Sequence, residues 1–246
     1  MKSLKRMRKN EKEKFVIPKS VQDVIPIKAV YKDGIFLVGN NLYSKTFKFT
    51  DINYNIASDE DKQELMKGYW AVINSFGAGV TVKMTINNHQ LDRAEFEKSI
   101  LLHYEYDGLD NYRKEYNDML IDKAALSNCI VQDKYFTVTV SKKSIDDARA
   151  FFNRVGNDLT ARLSRIDSKC LPVNAEERLR IFHNFYRSGD EQNYNLDLEL
   201  LQNQGCDIRD YICADSMVFE NDYMKINDKY CRVVFLRNYG TFVSDL

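Results

Sequence analysis

The sequence contains no phosphate-binding loop. Such a loop needs G-x-x-x-x-G-K-[ST], because its backbone N–H groups cradle phosphates while Lys and Ser/Thr reach the terminal phosphate and the metal. Gly34 and Gly39 have the right separation, but Asn40 and Asn41 stand where Lys and Ser/Thr belong. Gly77-Ala78-Gly79 leads to Lys83 without the glycine that should precede that lysine. Nucleotide hydrolysis by this chain is therefore not expected, and no bound ATP, magnesium or other cofactor is expected in it.

Other scarcities exclude further classes. Cys129, Cys170, Cys206, Cys213 and Cys231 are odd in number and form no C-x-x-C pair, so neither a disulfide framework nor a zinc site is expected, and a reducing cytoplasm fits. With three prolines and ten glycines there is no flexible linker to read. No apolar run approaches the roughly 18 residues of a membrane span. The basic amino terminus lacks the apolar stretch of a secretory signal. His89, His103 and His183 sit on different elements without H-E-x-x-H spacing, so no metal site is expected, and no G-x-S-x-G elbow occurs.

What is present describes a globular chain of 246 residues, 44% hydrophobic and 29% charged. Its zero net charge hides an asymmetry: residues 1–14 carry +5 and the remainder −5. Lys2, Lys5, Arg6, Arg8 and Lys9 are the candidate membrane contacts of a basic arm over residues 1–26, since each basic residue near anionic lipid contributes about 1 kcal/mol. A solvated tail is the plainer reading of the same residues.

Ile27–Tyr31, Ile35–Val38 and Leu42–Phe49 read as strands, with turns at Asp33-Gly34 and Gly39-Asn40-Asn41. Ser58 caps a helix over about 59–76, with Leu65, Tyr69, Ile73 and Phe76 inward and Gly77 ending it. Val80–Ile86 alternates as a strand. Asp92–Glu95 is a capping box, Asp107-Gly108 a break, and a helix follows over about 109–126. Tyr135–Val140 alternates again. Ser144 then caps a helix whose apolar face is Ala148, Phe152, Val155, Leu159, Leu163 and Ile166. A short strand at Cys170–Val173 and a helix capped by Asn174 follow, the latter burying Leu179, Phe182 and Tyr186. The fold class expected is α+β: a ferredoxin-like (split β-α-β) sandwich over 27–188, with a helical insertion at 92–127.

A partial second meander is expected within 189–246, with strands at 217–219, 223–226 and 230–236. It echoes the first meander in cadence, but Leu246 falls where the next helix should begin. Part of that sheet should lack its cover. Val218, Tyr223, Val233 and Phe235 are therefore the candidate self-association residues.

Four segments carry a resemblance: 17–27 (IPKSVQDVIPI), 43–54 (YSKTFKFTDINY), 107–118 (DGLDNYRKEYND) and 175–186 (AEERLRIFHNFY). Together they resemble the amino-terminal domain of conjugal-transfer ATPases of the TraE/TrsE/TrbE type, in the form carried by Gram-positive conjugative elements. The resemblance implies a cytoplasmic protein, peripheral at the inner face of the cell membrane, whose amino-terminal domain docks on inner-membrane subunits of a type IV secretion channel. ATP and magnesium would belong to the motor of a longer parent, which would be the ATPase.

Some of the residues invite other readings. Asp146-Asp147 and Glu176-Glu177 could suggest acid–base chemistry, but both pairs lie in first helical turns, where the dipole favours them. Tyr104, Tyr106, Tyr112 and Tyr116 with Arg113 and Lys114 could suggest base stacking, but Glu105, Asp107, Asp110 and Glu115 cancel the charge. Core or interface aromatics are expected there, and direct nucleic-acid binding is not. A non-catalytic docking domain is the primary expectation; a small enzyme or a nucleic-acid module on the same scaffold is the alternative.

Overall fold

The computed structural model describes residues 18–52, 54, 57–90, 100–126, 130–190, 194–198, 205 and 207–236. Its strands are β1 (Ala29–Val30), β2 (Phe36–Gly39), β3 (Leu42–Phe49), β4 (Val80–Gln90), β5 (Ile130–Ser141), β6 (Cys170–Pro172), β7 (Met217–Phe219), β8 (Met224–Ile226) and β9 (Lys229–Cys231). The helices used below are α1 (Asp59–Ile73), α2 (Asp110–Leu126), α3 (Ile145–Leu163), α4 (Ala175–Tyr186) and α5 (Ile208–Ile212). The fold is α+β, as expected.

Local chemistry sets the helix starts. Ser58, Ser144 and Asn174 each have extended backbone, and each side chain accepts from the N–H three residues on, at Asp61, Asp147 and Glu177. Each cap satisfies one orphan donor of its helix, worth about 1 kcal/mol.

The main sheet runs β1-β2-β3-β5-β4, with β6 also on β3, and every neighbouring pair is antiparallel. Within it, β6-β3-β5-β4 with α1 after β3 and α3 after β5 follows the split β-α-β order. One feature was not foreseen. The outer edge of β3 is shared: β2 pairs with Leu42–Ser44 and β6 with Phe47–Phe49. Gly34 sits at that junction with φ +79, and a Cβ there would lie 2.1 Å from the Val173 carbonyl oxygen. Only glycine fits both constraints.

The sheet is covered on both faces. Tyr43, Phe47, Phe49, Phe136 and Val138 pack under α1 and α3 with Phe152, Leu159 and Leu163. On the opposite face Phe36 packs with Ile25, Ile27, Leu179 of α4, Leu196, Leu198 and Ile212. Ile25 is 2% exposed. The boundaries expected at 26/27 and 188/189 thus cut through one packed cluster.

Three local expectations need correction. Helix α1 ends at Ile73 with Asn74 as its C-cap, and the left-handed glycine beyond it is Gly79. Val72 is fully buried while Ile73 is 52% exposed, so Val72 replaces Ile73 in the stripe. Strands β4 and β5 run on to Gln90 and Ile130, so the insertion hangs from the end of a long ribbon. The expected capping box at Asp92–Glu95 and the basic contacts Lys2, Lys5, Arg6, Arg8 and Lys9 lie outside the described residues. No helix among the described residues is long and apolar enough to cross a membrane.

Candidate docking surface

The second meander forms its own sheet, β7-β8-β9, antiparallel throughout. Its last strand ends at Cys231, not Leu236 as expected. Tyr223 lies in the turn before β8. Asn227 takes the left-handed conformation of the β8–β9 turn, at φ 52. Its carboxamide oxygen accepts from the backbone N–H groups of Asp215 and Ser216, and its amide donates to the Tyr186 carbonyl. Lys229 Nζ donates to the Ser188 carbonyl and hydroxyl, and Arg187 Nη2 donates to Asp215 at 2.8 Å. The small sheet is thus tied to the end of α4 largely through polar bonds, with Ile226 buried.

Its remaining apolar surface is open. Val218, Phe219, Tyr223, Tyr230, Val233, Val234, Phe235 and Leu236 are all exposed, with Phe235 at 76%. The four residues singled out from sequence, Val218, Tyr223, Val233 and Phe235, all belong to this surface. Where exposed apolar residues form a contiguous patch, they mark interaction sites in folded chains.

Beside the small sheet lies a groove of about 780 Å3. It is bounded by Asn87, Asn88, His89 and Ile130 at the end of the β4–β5 ribbon, by Asn184, Phe185 and Tyr186 of α4, and by Asn227 and Tyr230. Ile130, Phe185 and Tyr230 are exposed at its rim. Its lining includes the carboxamides of Asn87, Asn88 and Asn184, a group that can donate and accept. Sequence reasoning missed this groove. The available signal was Phe185, which lies off the inward stripe of Leu179, Phe182 and Tyr186.

Next to the groove, Asp133 receives Lys48 Nζ at 2.9 Å, His89 Nε2 at 3.1 Å and the Tyr135 hydroxyl at 3.2 Å. Burial pushes its carboxyl upward, but the bonds from Lys48 and His89 outweigh that and hold it below the ordinary value. Burial and the same carboxylate push the Tyr135 phenol up. These groups neutralise one another on the sheet surface, an arrangement of fixed polarity.

The groups that could have signalled chemistry are kept apart. His183 is buried beside Tyr194 and Tyr211, His89 sits on the ribbon, and His103 is exposed. Cys170 is buried, and desolvation pushes its thiol up to about 11, away from the thiolate form a nucleophile needs. Cys129 and Cys206 lie outside the described residues. Among the described residues no cluster of His, Cys, Asp or Glu could hold a metal ion. Tyr104, Tyr106, Tyr112 and Tyr116 are exposed, so they are not core residues. Arg113 is clasped by Glu105, Asp107 and Asp110.

Comparison with protein-family models gives no match, and comparison with curated proteins gives no significant match.

Proposed function

We propose that this chain is a non-catalytic docking and assembly domain of a conjugative type IV secretion ATPase, contacting inner-membrane subunits of the transfer channel. The observation that carries the reading is the exposure of Val218, Tyr223, Val233 and Phe235 beside the groove. The four sequence segments that resemble the amino-terminal domain of those ATPases support it. The missing phosphate loop is consistent with a segment that leaves nucleotide and magnesium to a motor in a longer parent. The protein then works in the cytoplasm, peripheral at the inner face of the membrane, where Lys2, Lys5, Arg6, Arg8 and Lys9 meet anionic lipid. Without its partner, the same apolar surface joins copies of the chain through the 217–246 region.

The alternatives have less behind them. Scattered histidines and a buried thiol give an enzyme little to work with. The neutralised Arg113 cluster does the same for a nucleic-acid module.

The test is a photo-crosslinking residue at Tyr230, in cells that also make the membrane subunits of the transfer channel. Crosslinks to a small integral membrane protein, lost in Val233→Lys/Phe235→Lys, are expected. Crosslinks confined to soluble proteins would overturn the reading.

A further inference from the structure

A second surface runs along β4, whose residues Asn87, Asn88 and His89 bound the groove described above. In the main sheet β4 is terminal, and among the described residues no strand pairs with its outer side. It is eleven residues long, Val80–Gln90. Edge strands are normally blunted by charge, proline or a bulge, because their unpaired N–H and C=O groups template another strand. This one has no proline, and Lys83 is its one Lys, Arg, Asp or Glu. Its register with β5 runs unbroken from Val80 to Gln90.

The edge is flanked by apolar side chains. Met84 lies opposite Phe136 in register, on the helix-covered face of the sheet, yet it is 47% exposed, and Ile86 on the same face is 54% exposed. Helix α1 turns Leu65, Tyr69 and Val72 to the core, where Phe76, beyond its end, joins them. One flank meets the segment around α3: a Cβ on Gly68 would lie 2.3 Å from Ile166 Cγ2, and Arg162 Nη1 donates to the Ala71 carbonyl at 3.4 Å. The opposite flank carries Met66, Trp70 and Ile73, with Trp70 62% exposed. Helix α3 packs over β3 and β6, whereas Phe76 lies 6.4 Å from Phe136 on β5. The flank away from α3 therefore faces the β4 side.

We infer that the free edge of β4, with the Met66–Trp70–Ile73 flank of α1 beside it, is where two copies of this chain join. The strand is compatible with itself. Antiparallel pairing about a two-fold axis at Thr85 places Met84 opposite Ile86, Lys83 opposite Asn87 and Thr85 opposite Thr85. No two charged residues face each other, and the apolar pair falls on the side where the α1 flanks also meet. A two-fold contact needs this self-complementarity, because one patch must serve both sides. Cross-strand apolar pairs and the ladder hydrogen bonds then close both edges at once. The inference does not rest on the docking reading above.

The test uses the full chain carrying Val233→Lys/Phe235→Lys, which removes the other apolar surface from consideration. Sedimentation velocity over the micromolar range should still show a dimer. Adding Thr85→Cys should give, under mild oxidation, a covalent dimer whose peptide map joins position 85 to position 85. Adding Met84→Lys/Ile86→Lys instead should weaken the dimer by roughly a hundredfold or more, since each change strips a central apolar contact. The thermal midpoint of the monomer should not fall, because both side chains are already exposed. Trp70→Ser should weaken the dimer roughly tenfold by itself. A monomer at every concentration would overturn the inference, as would a dimer indifferent to Met84→Lys/Ile86→Lys, or oxidation that links position 85 only to other cysteines.

Discussion

Arg178 is 5% exposed and has no carboxylate partner among its hydrogen bonds. Its Nη1 donates to the Gly34 carbonyl at 3.1 Å and the Ser44 carbonyl at 2.7 Å, and its Nη2 donates to the Ser44 hydroxyl at 2.7 Å. The guanidinium carbon lies 4.0 Å from the centre of the Phe36 ring. Burial pushes the guanidinium down to about 9, so it remains charged at neutral pH. The side chain thus fills the point where the outer edge of β3 passes from β2 to β6. Arg178→Ala should destabilise by about 3–5 kcal/mol, because it leaves a cavity and deprives buried acceptors of donors worth about 1–3 kcal/mol each. Arg178→Met keeps most of the volume and removes the buried charge, so its cost should be smaller, about 1–3 kcal/mol. Arg178→Lys should not rescue, since one ammonium cannot reproduce a planar fork stacked on Phe36. Urea unfolding of the three variants, with m-values compared, measures these costs. A loss under about 1 kcal/mol for Arg178→Ala would refute the claim that this residue holds the edge together.

Four further outcomes are expected. Phe152, mid-stripe on α3 and 1% exposed, should cost roughly 3–5 kcal/mol as Phe152→Ala, whereas the exposed Arg154 should cost under about 0.5 kcal/mol as Arg154→Ala; equal losses in thermal unfolding would mean the face is wrongly assigned. Cys170 should resist iodoacetamide at pH 8 while the partly exposed Cys231 reacts, as read by mass spectrometry. Because burial raises the folded-state thiol above its ordinary value, the stability Cys170 contributes should be complete below about pH 9 and lost as pH rises through about 11. Removing residues 1–14 should leave the thermal midpoint nearly unchanged and weaken binding to anionic vesicles most at low salt; equal vesicle binding with and without the arm would dismiss its membrane role.

Much of the architecture was legible because local signals agreed with tertiary need. The Ser58, Ser144 and Asn174 caps and the Ala148–Phe152–Leu159–Leu163 face of α3 are examples. The misreadings have identifiable causes. Spacings of three and four both satisfy a helix, so Val72 and Ile73 could not be separated by period alone. The close approach at Gly68 to Ile166 accounts for the choice, by fixing which flank of α1 meets the α3 side. The ribbon beyond Ile86 was invisible because Asn87, Asn88 and His89 do not alternate. Those residues are held by pairing with Gln132 and its neighbours, a long-range cause. Residues 232–236 have strand-like composition, yet no described strand lies beside them. The candidate self-association residues Val218, Tyr223, Val233 and Phe235 were readable as apolar side chains. The groove beside them was not, because it joins three segments distant in sequence.

The shared edge of β3 has a consequence for how the protein is made. The central pairing joins Leu42 to Ser141, and the last stretch of that edge joins Phe47 to Pro172. Nothing local can complete β3. As the chain leaves the ribosome at about 5–20 residues per second, the first hairpin waits on the order of ten seconds for β5, and longer for β6. During that interval Tyr43, Phe47 and Phe49 have no native cover from β5 or α3. Synthesis speed and chaperone capture should therefore govern the yield of folded protein more strongly than its final stability does.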